Sequence, residues 1–225
     1  MINLRHQDGQ GATEFIIVLP VALLLIFSIM QIALAYQAKT ALNYAVFSAA
    51  RESALHGGTL ESVKRGFSVG LAPFYTYDDD PLAVPYAVDQ VYRHIDDGLV
   101  VFSRINPPVT AFFDFSSILE TDAATGLPAL PNDNLMYRDA TRGSASQLSI
   151  QDANLLKIGV LYCYPLSFPL VNTVISKLAE AGGLTNGKYC NSKSKASTPG
   201  QPSLPIIASA IVRMQSNLLD DPSWR

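Results

Sequence analysis

FIIVLPVALLLIFSIMQIALAYQA, residues 15–38, is a run of 24 amino acids without a charge, and 20 of them are hydrophobic. Only Pro20, Ser28, Gln31 and Gln37 interrupt the apolar composition. Wound as a helix at about 1.5 Å per residue, the run measures about 36 Å, enough to cross a hydrocarbon core of about 30 Å. No second uncharged run of comparable length follows, so the sequence predicts one anchor and a globular remainder, not a polytopic membrane protein. Composition agrees. The 225 residues are 48% hydrophobic and 16% charged, with mean hydropathy +0.19, but without the run the remainder is about 44% hydrophobic. That is close to the ordinary soluble value of roughly 45–50%.

Downstream, Lys39–Leu55 (KTALNYAVFSAARESAL) carries Leu42, Ala45, Val46, Ala49 and Ala50 at helical spacing. The helix is therefore expected to leave the membrane and continue as a stalk until Gly57-Gly58 stops it. Pro20 should kink it and release one backbone acceptor. Upstream, nine polar-leaning residues ending in Gly9 precede Gln10-Gly11-Ala12-Thr13-Glu14-Phe15. A carboxylate directly against a membrane span is costly unless it stays at the interface or finds a partner. Glu14 either marks the headgroup boundary or meets a specific cation in an assembly.

Gly9, four residues, Glu14 and the aromatic Phe15 resemble the prepilin processing motif of type IV pilin-like proteins in its Flp/Tad form. The segments Asn43–Arg51, Arg104–Pro107, Gln151–Leu156, Lys157–Leu166 and Ala208–Ser216 are similar to TadE-type pseudopilins, with TadF the close alternative. The resemblance implies a leader over residues 1–9, cleavage between Gly9 and Gln10 by a prepilin peptidase, and Gln10 as the mature first residue. It also implies that Glu14 pairs with the N-terminal amine of a neighbouring subunit, and that Glu14 and Phe15 serve helix packing and assembly. Two unlike charges in a low-dielectric setting attract strongly and fix register between helices. Implied partners are the inner-membrane Tad assembly platform, the major Flp pilin and other minor pseudopilins, TadF-like ones among them. The implied place is the inner membrane, single-pass, with a periplasmic C-terminal domain and entry into an extracellular pilus left open. The rival reading of the N-terminus is a secretory signal ending at Ala33-Leu34-Ala35, against which stand the length of the apolar stretch and Glu14 abutting it.

The expected organisation is a leader (1–9), a transmembrane and stalk helix (10–57, spanning about 15–38), and an outer domain (58–225). In the outer domain Glu61–Leu71 and Tyr86–Ile95 read as helices. Leu99–Ile105, Leu155–Tyr164 and Ile206–Gln215 read as strands, and Thr121–Gln147 as an extended loop region. The fold class is α+β, the long helix packed on a small antiparallel sheet. Cys163 and Cys190 are expected to form a disulfide in an oxidising compartment, and to stay reduced if the domain faces the cytosol.

Other chemistry finds little support. A net charge of −3, with no basic stripe among the aromatics, gives no case for nucleic acid. Gly66-Phe67-Ser68-Val69-Gly70 fits the G-x-S-x-G nucleophile pattern, but LESVKR before it is no hydrophobic strand and His94 follows too closely. Asp78-Asp79-Asp80 and Asp96-Asp97 lack the alternation of a calcium loop and read as solvated turns. His6, His56 and His94 have no paired-ligand spacing, and Lys188–Lys195 reads as a solvated loop. The expectation is a structural, non-enzymatic protein without cofactor or metal. A membrane-anchored periplasmic binding or sensor module is the alternative.

Overall fold

In chain order the helices are α1 (Gln10–Leu55), α2 (Leu60–Tyr75), α3 (Ala83–Asp96), α4 (Val109–Asp114), α5 (Ile150–Ala153), α6 (Val171–Ala181) and α7 (Gly187–Ser197). The strands are β1 (Val100–Asn106), β2 (Glu120–Thr121), β3 (Pro128–Leu130), β4 (Leu155–Pro165), β5 (Ser203–Arg213) and β6 (Leu218–Leu219). The computed structural model describes residues 10–76, 80–182, 186–197 and 201–225. The fold class is α+β, a long apolar N-terminal helix followed by a small antiparallel sheet domain. The chain divides into two units: the described residues up to Gln37 with Tyr164–Leu204, and Ala38–Cys163 with Pro205–Arg225.

The second unit is built on the outer half of α1. Leu42, Ala45, Val46, Ala49 and Ala50, the positions the helical spacing singles out, are all fully buried. Helix α2 lies against them at very short range. A Cβ added at Gly66 would stand 2.9 Å from the Ala49 Cα and 2.7 Å from the Glu52 Cβ; one at Gly70 would stand 2.9 Å from the Ala45 Cα. Gly66 and Gly70 thus form one seam with Ala45 and Ala49, two small-x-x-x-small pairs facing each other. Thr59 caps α2 by accepting the Ser62 N–H at 3.3 Å, and Asp221 accepts the Leu60 N–H at 2.8 Å. Helix α3 packs on α2 through Ala87, Val91 and Ile95, spaced four apart.

The main sheet has order β1-β4-β5. Strands β1 and β4 are antiparallel, with Val100 opposite Tyr162 and Phe102 opposite Val160. The bonds Leu166 N–H to Pro202 O and Met214 N–H to Asn154 O, at opposite ends of β4 and β5, make that pair antiparallel too. Leu156, Ile158, Val160, Tyr162 and Tyr164 alternate onto the buried face. Phe67 of α2 meets Phe102 of β1 edge-on at 5.2 Å, and the Lys39 ammonium of α1 bonds the Ile207 carbonyl of β5. A second small sheet, β2-β3-β6, brings residues 120–130 to Leu218–Leu219. The segment 121–147, expected to be loop, supplies β3 and the second residue of β2.

The outer end of α1 is closed by distant residues. Gly57 and Gly58 are left-handed (φ 71° and 69°), and the Gly58 N–H returns to the Ser53 carbonyl at 2.9 Å. The Ala54 carbonyl accepts the Gln215 N–H, the Ser216 N–H and the Ser216 hydroxyl. Gly57 N–H donates to Ser216 Oγ, Leu219 N–H to the Gly57 carbonyl, and Trp224 Nε1 to the Gly58 carbonyl.

The first unit joins the inner half of α1 to α6 and α7. The helix is continuous through Pro20. Helix α7 covers Lys188–Lys195, which the sequence read as loop; Cys190, Asn191 and Ser194 are its buried side.

Candidate functional site

The strongest functional signal in the sequence is the start of α1. The backbone is helical from Gln10, so Glu14 sits just over one turn inside the helix, and Phe15 beside it is exposed. From Phe15 to Ile26 nearly every apolar side chain is open to the surroundings: Phe15, Ile16, Ile17, Val18, Val21, Leu24, Leu25 and Ile26 among them. A helix this apolar and this uncovered is stable only in a non-aqueous environment or against other apolar helices. It is the single helix among the described residues long and apolar enough to cross a membrane. Gly9 and the rest of the proposed leader lie outside the described residues.

Protein cover begins further along. Gln31, which the sequence offers only as an interruption, is fully buried, and its Oε1 accepts the Ser167 and Phe168 N–H groups at 3.1 and 3.0 Å. One turn earlier Phe27 stacks on Phe168 with centroids 5.5 Å apart.

Cys163 and Cys190 are disulfide-bonded, and the described residues hold no free cysteine. The G-x-S-x-G match takes another meaning. Ser68 is buried in mid-α2, and the two glycines make the α1 seam, so no strand-turn-helix elbow exists there. Asp80 accepts the Leu82 N–H at 2.8 Å in a turn; Asp78 and Asp79 lie outside the described residues. No three His, Cys, Asp or Glu side chains gather to hold a metal among the described residues.

Two polar groupings escape the sequence. The Tyr75 hydroxyl bonds His94 Nδ1 at 3.1 Å and also the hydroxyl of Tyr162. Burial pulls the His94 imidazole below its usual range, with Asp97 opposing. The Arg104 guanidinium lies 5.3 Å from the Phe112 ring and 5.8 Å from the Trp224 ring, and burial lowers its pKa against the pull of Asp220 and Asp221. Both groupings tie strands to helices. A cleft of about 460 Å³ lies between Asp114–Ile118 and Arg138–Ser144. There the Asp114 carboxylate, bonded by Ser146, Ala145 and Ser144, is held down to about 2. Its acceptor capacity serves the 144–146 loop.

What α1 combines is an uncovered apolar half, an acid near its start and a small-residue outer half buried in the domain. Residues 9–51 match the TadE-like protein family. The TadE-like segment takes in Gly9, Gln10, Glu14, Phe15 and the buried stripe as far as Ala50. It stops at Arg51, so the similarity read into residues 104–107, 151–166 and 208–216 lies outside it. No curated protein and no solved structure matches the chain. The TadE-like segment points to a Tad pilus-associated, structural protein, and the helix is compatible with a single pass through a membrane.

Proposed function

We propose that the chain is a minor pseudopilin of a Tad/Flp pilus system, stored in the inner membrane by α1 and presenting its outer domain in the periplasm to prime or cap the filament. The observation that carries this is the coincidence, within the TadE-like segment, of Gly9, Glu14 and an apolar helix left uncovered from Phe15 to Ile26. Removal of residues 1–9 by a prepilin peptidase would create an amine at Gln10. Glu14 of one subunit would take the amine of another as the uncovered helices pack, exchanging lipid for neighbouring pilin helices and the assembly platform. The disulfide suits an oxidising periplasm.

The mature N-terminus, read by mass spectrometry from the native membrane, tests this. A start at Gln10 is expected; a start at Tyr36 would identify a secreted protein, and an intact Met1 a plain anchor. Glu14→Ala should leave membrane insertion intact and abolish pilus assembly. If pili still form at normal number, the membrane-anchored binding module becomes the better reading.

A further inference from the structure

Helix α6 carries its apolar side outward. Val171, Ser176 and Ala179 are buried, whereas Val174 and Leu178, one turn apart on the other side, are 48% and 66% exposed, and Leu170 at the N-cap (φ 66°) is 77% exposed. Thr173, Lys177 and Ala181 share the exposed side. Three large exposed aliphatic groups, two on an 11-residue helix and one at its N-cap, are not an ordinary surface of a soluble domain.

The position of α6 along α1 says what covers that surface. The strand end that leads into α6 is fixed to α1 by Gln31 Oε1 on the Ser167 and Phe168 amides and by Phe27 stacked on Phe168. Gln31 is 17 residues beyond Glu14, an axial distance of about 26 Å at ~1.5 Å per residue. With Glu14 at one headgroup boundary, α6 begins close to the opposite boundary of a core about 30 Å thick. Charge agrees. Residues 164–204 contain four lysines (Lys177, Lys188, Lys193, Lys195) and one acid, Glu180, in a chain whose net charge is −3. An apolar surface with lysines beside it at the edge of a bilayer is the pattern of a helix lying in the interface, where lysine stems cover apolar surface and their ammonium groups reach anionic headgroups.

We infer that α6 is an interfacial membrane helix: Leu170, Val174 and Leu178 enter the outer face of the bilayer that α1 crosses, with Lys177, Lys188 and Lys193 at anionic headgroups. The inference rests on the reading of α1 as membrane-spanning. The first unit is then held to the lipid at two places, by the span and by a helix in the interface.

Spin labelling of the full-length protein in vesicles of phosphatidylethanolamine and phosphatidylglycerol tests this without other proteins present. Both native cysteines are disulfide-bonded, so nitroxide attaches only at an introduced thiol. Three single variants suffice: Val174→Cys on α6, Leu24→Cys in the span and Ala140→Cys as an exposed reference in the other unit. With an apolar face about 5–10 Å into the headgroup boundary, the oxygen-to-nickel-chelate collision ratio at 174 should exceed that at 140 by about threefold or more. A high ratio at 24 with a value at 174 equal to that at 140 overturns the inference and leaves the span standing; α6 would then face a protein partner or water. An aqueous ratio at 24 overturns the span, and this inference with it.

Discussion

Gly66→Ala should destabilise the protein although it replaces a helix-interior glycine with the best helix former. On an exposed helix the exchange stabilises by about 1 kcal/mol. Here the new Cβ meets the Glu52 Cβ at 2.7 Å, the Ala49 Cα at 2.9 Å and the Ser48 carbonyl at 3.1 Å. Two of these atoms are backbone and cannot turn aside, so α2 must move off α1 by about 0.5–1 Å. Overpacking of this kind costs about 1–3 kcal/mol. Less the propensity gain, the net loss is about 1 kcal/mol, a fall in Tm of about 2–4 °C for a chain of this size. Gly70→Ala, whose Cβ meets the Ala45 Cα and Ser48 Cβ at 2.9 Å, should behave alike. The double variant is the sharper test. One displacement of α2 relieves both clashes while the propensity gain counts twice, so the double should be no less stable than either single, a coupling of about 1–2 kcal/mol. Thermal unfolding of the full-length protein in detergent micelles reads it, with the fluorescence of Trp224, which donates to the Gly58 carbonyl, as probe. Stabilisation by Gly66→Ala would refute the close approach, and strict additivity would refute the shared seam.

Gln31→Leu leaves the Ser167 and Phe168 amides without their acceptor at a cost of about 1–3 kcal/mol; their protection against hydrogen exchange should fall about tenfold or more, and unchanged protection would show that the contact does not hold the loop. Cys190→Ser opens a 27-residue loop, for which chain entropy gives about 3.5 kcal/mol; Tm should fall by about 7–14 °C, whereas titration of the unreduced native protein should find no thiol. Asp114 has its carboxyl depressed from the ordinary range to about 2, so its hold on the loop is full above pH ~4 and lost as pH falls towards 2; the Ala145 and Ser146 amide shifts should titrate with that midpoint, and Asp114→Asn should abolish the titration.

Where the chain obeys one period, the sequence was readable. The stripe from Leu42 to Ala50 repeats at helical spacing and is buried as that spacing requires, and the strands at Leu155–Pro165 and Ser203–Arg213 alternate within a residue or three of their expected bounds. Gly66 and Gly70 were visible but ambiguous. The same five residues satisfy a nucleophile elbow and a helix seam, and the missing strand before them and the closeness of His94 speak against the elbow. Strands β2 and β3, of two and three residues, are too short to carry a period, and their pairing depends on Leu218–Leu219, about ninety residues on. Helix α7 has a weakly sided, Lys- and Ser-rich sequence that looks like loop until Cys190, Asn191 and Ser194 are seen on its buried side. Gln31 was legible as an oddity, a polar group in an apolar run, but the amides that donate to it lie 136 and 137 residues away. At the start of α1 the sequence says more than the fold, since the chemistry proposed for Gly9 and Glu14 needs a peptidase and a neighbouring subunit.

The finish of α1 depends on residues translated more than 150 positions after it. The helix nucleates early and its apolar half can enter a bilayer while synthesis continues, yet the Ala54, Gly57 and Gly58 carbonyls wait for Gln215, Ser216, Leu219 and Trp224. Ribosomes that stall before residue 214 would leave a chain with a frayed end to α1 and with the Leu60 N–H lacking its Asp221 acceptor, both recognisable to proteases. Connectivity thus makes the end of α1, among the first residues synthesised, one of the last parts of the fold to close.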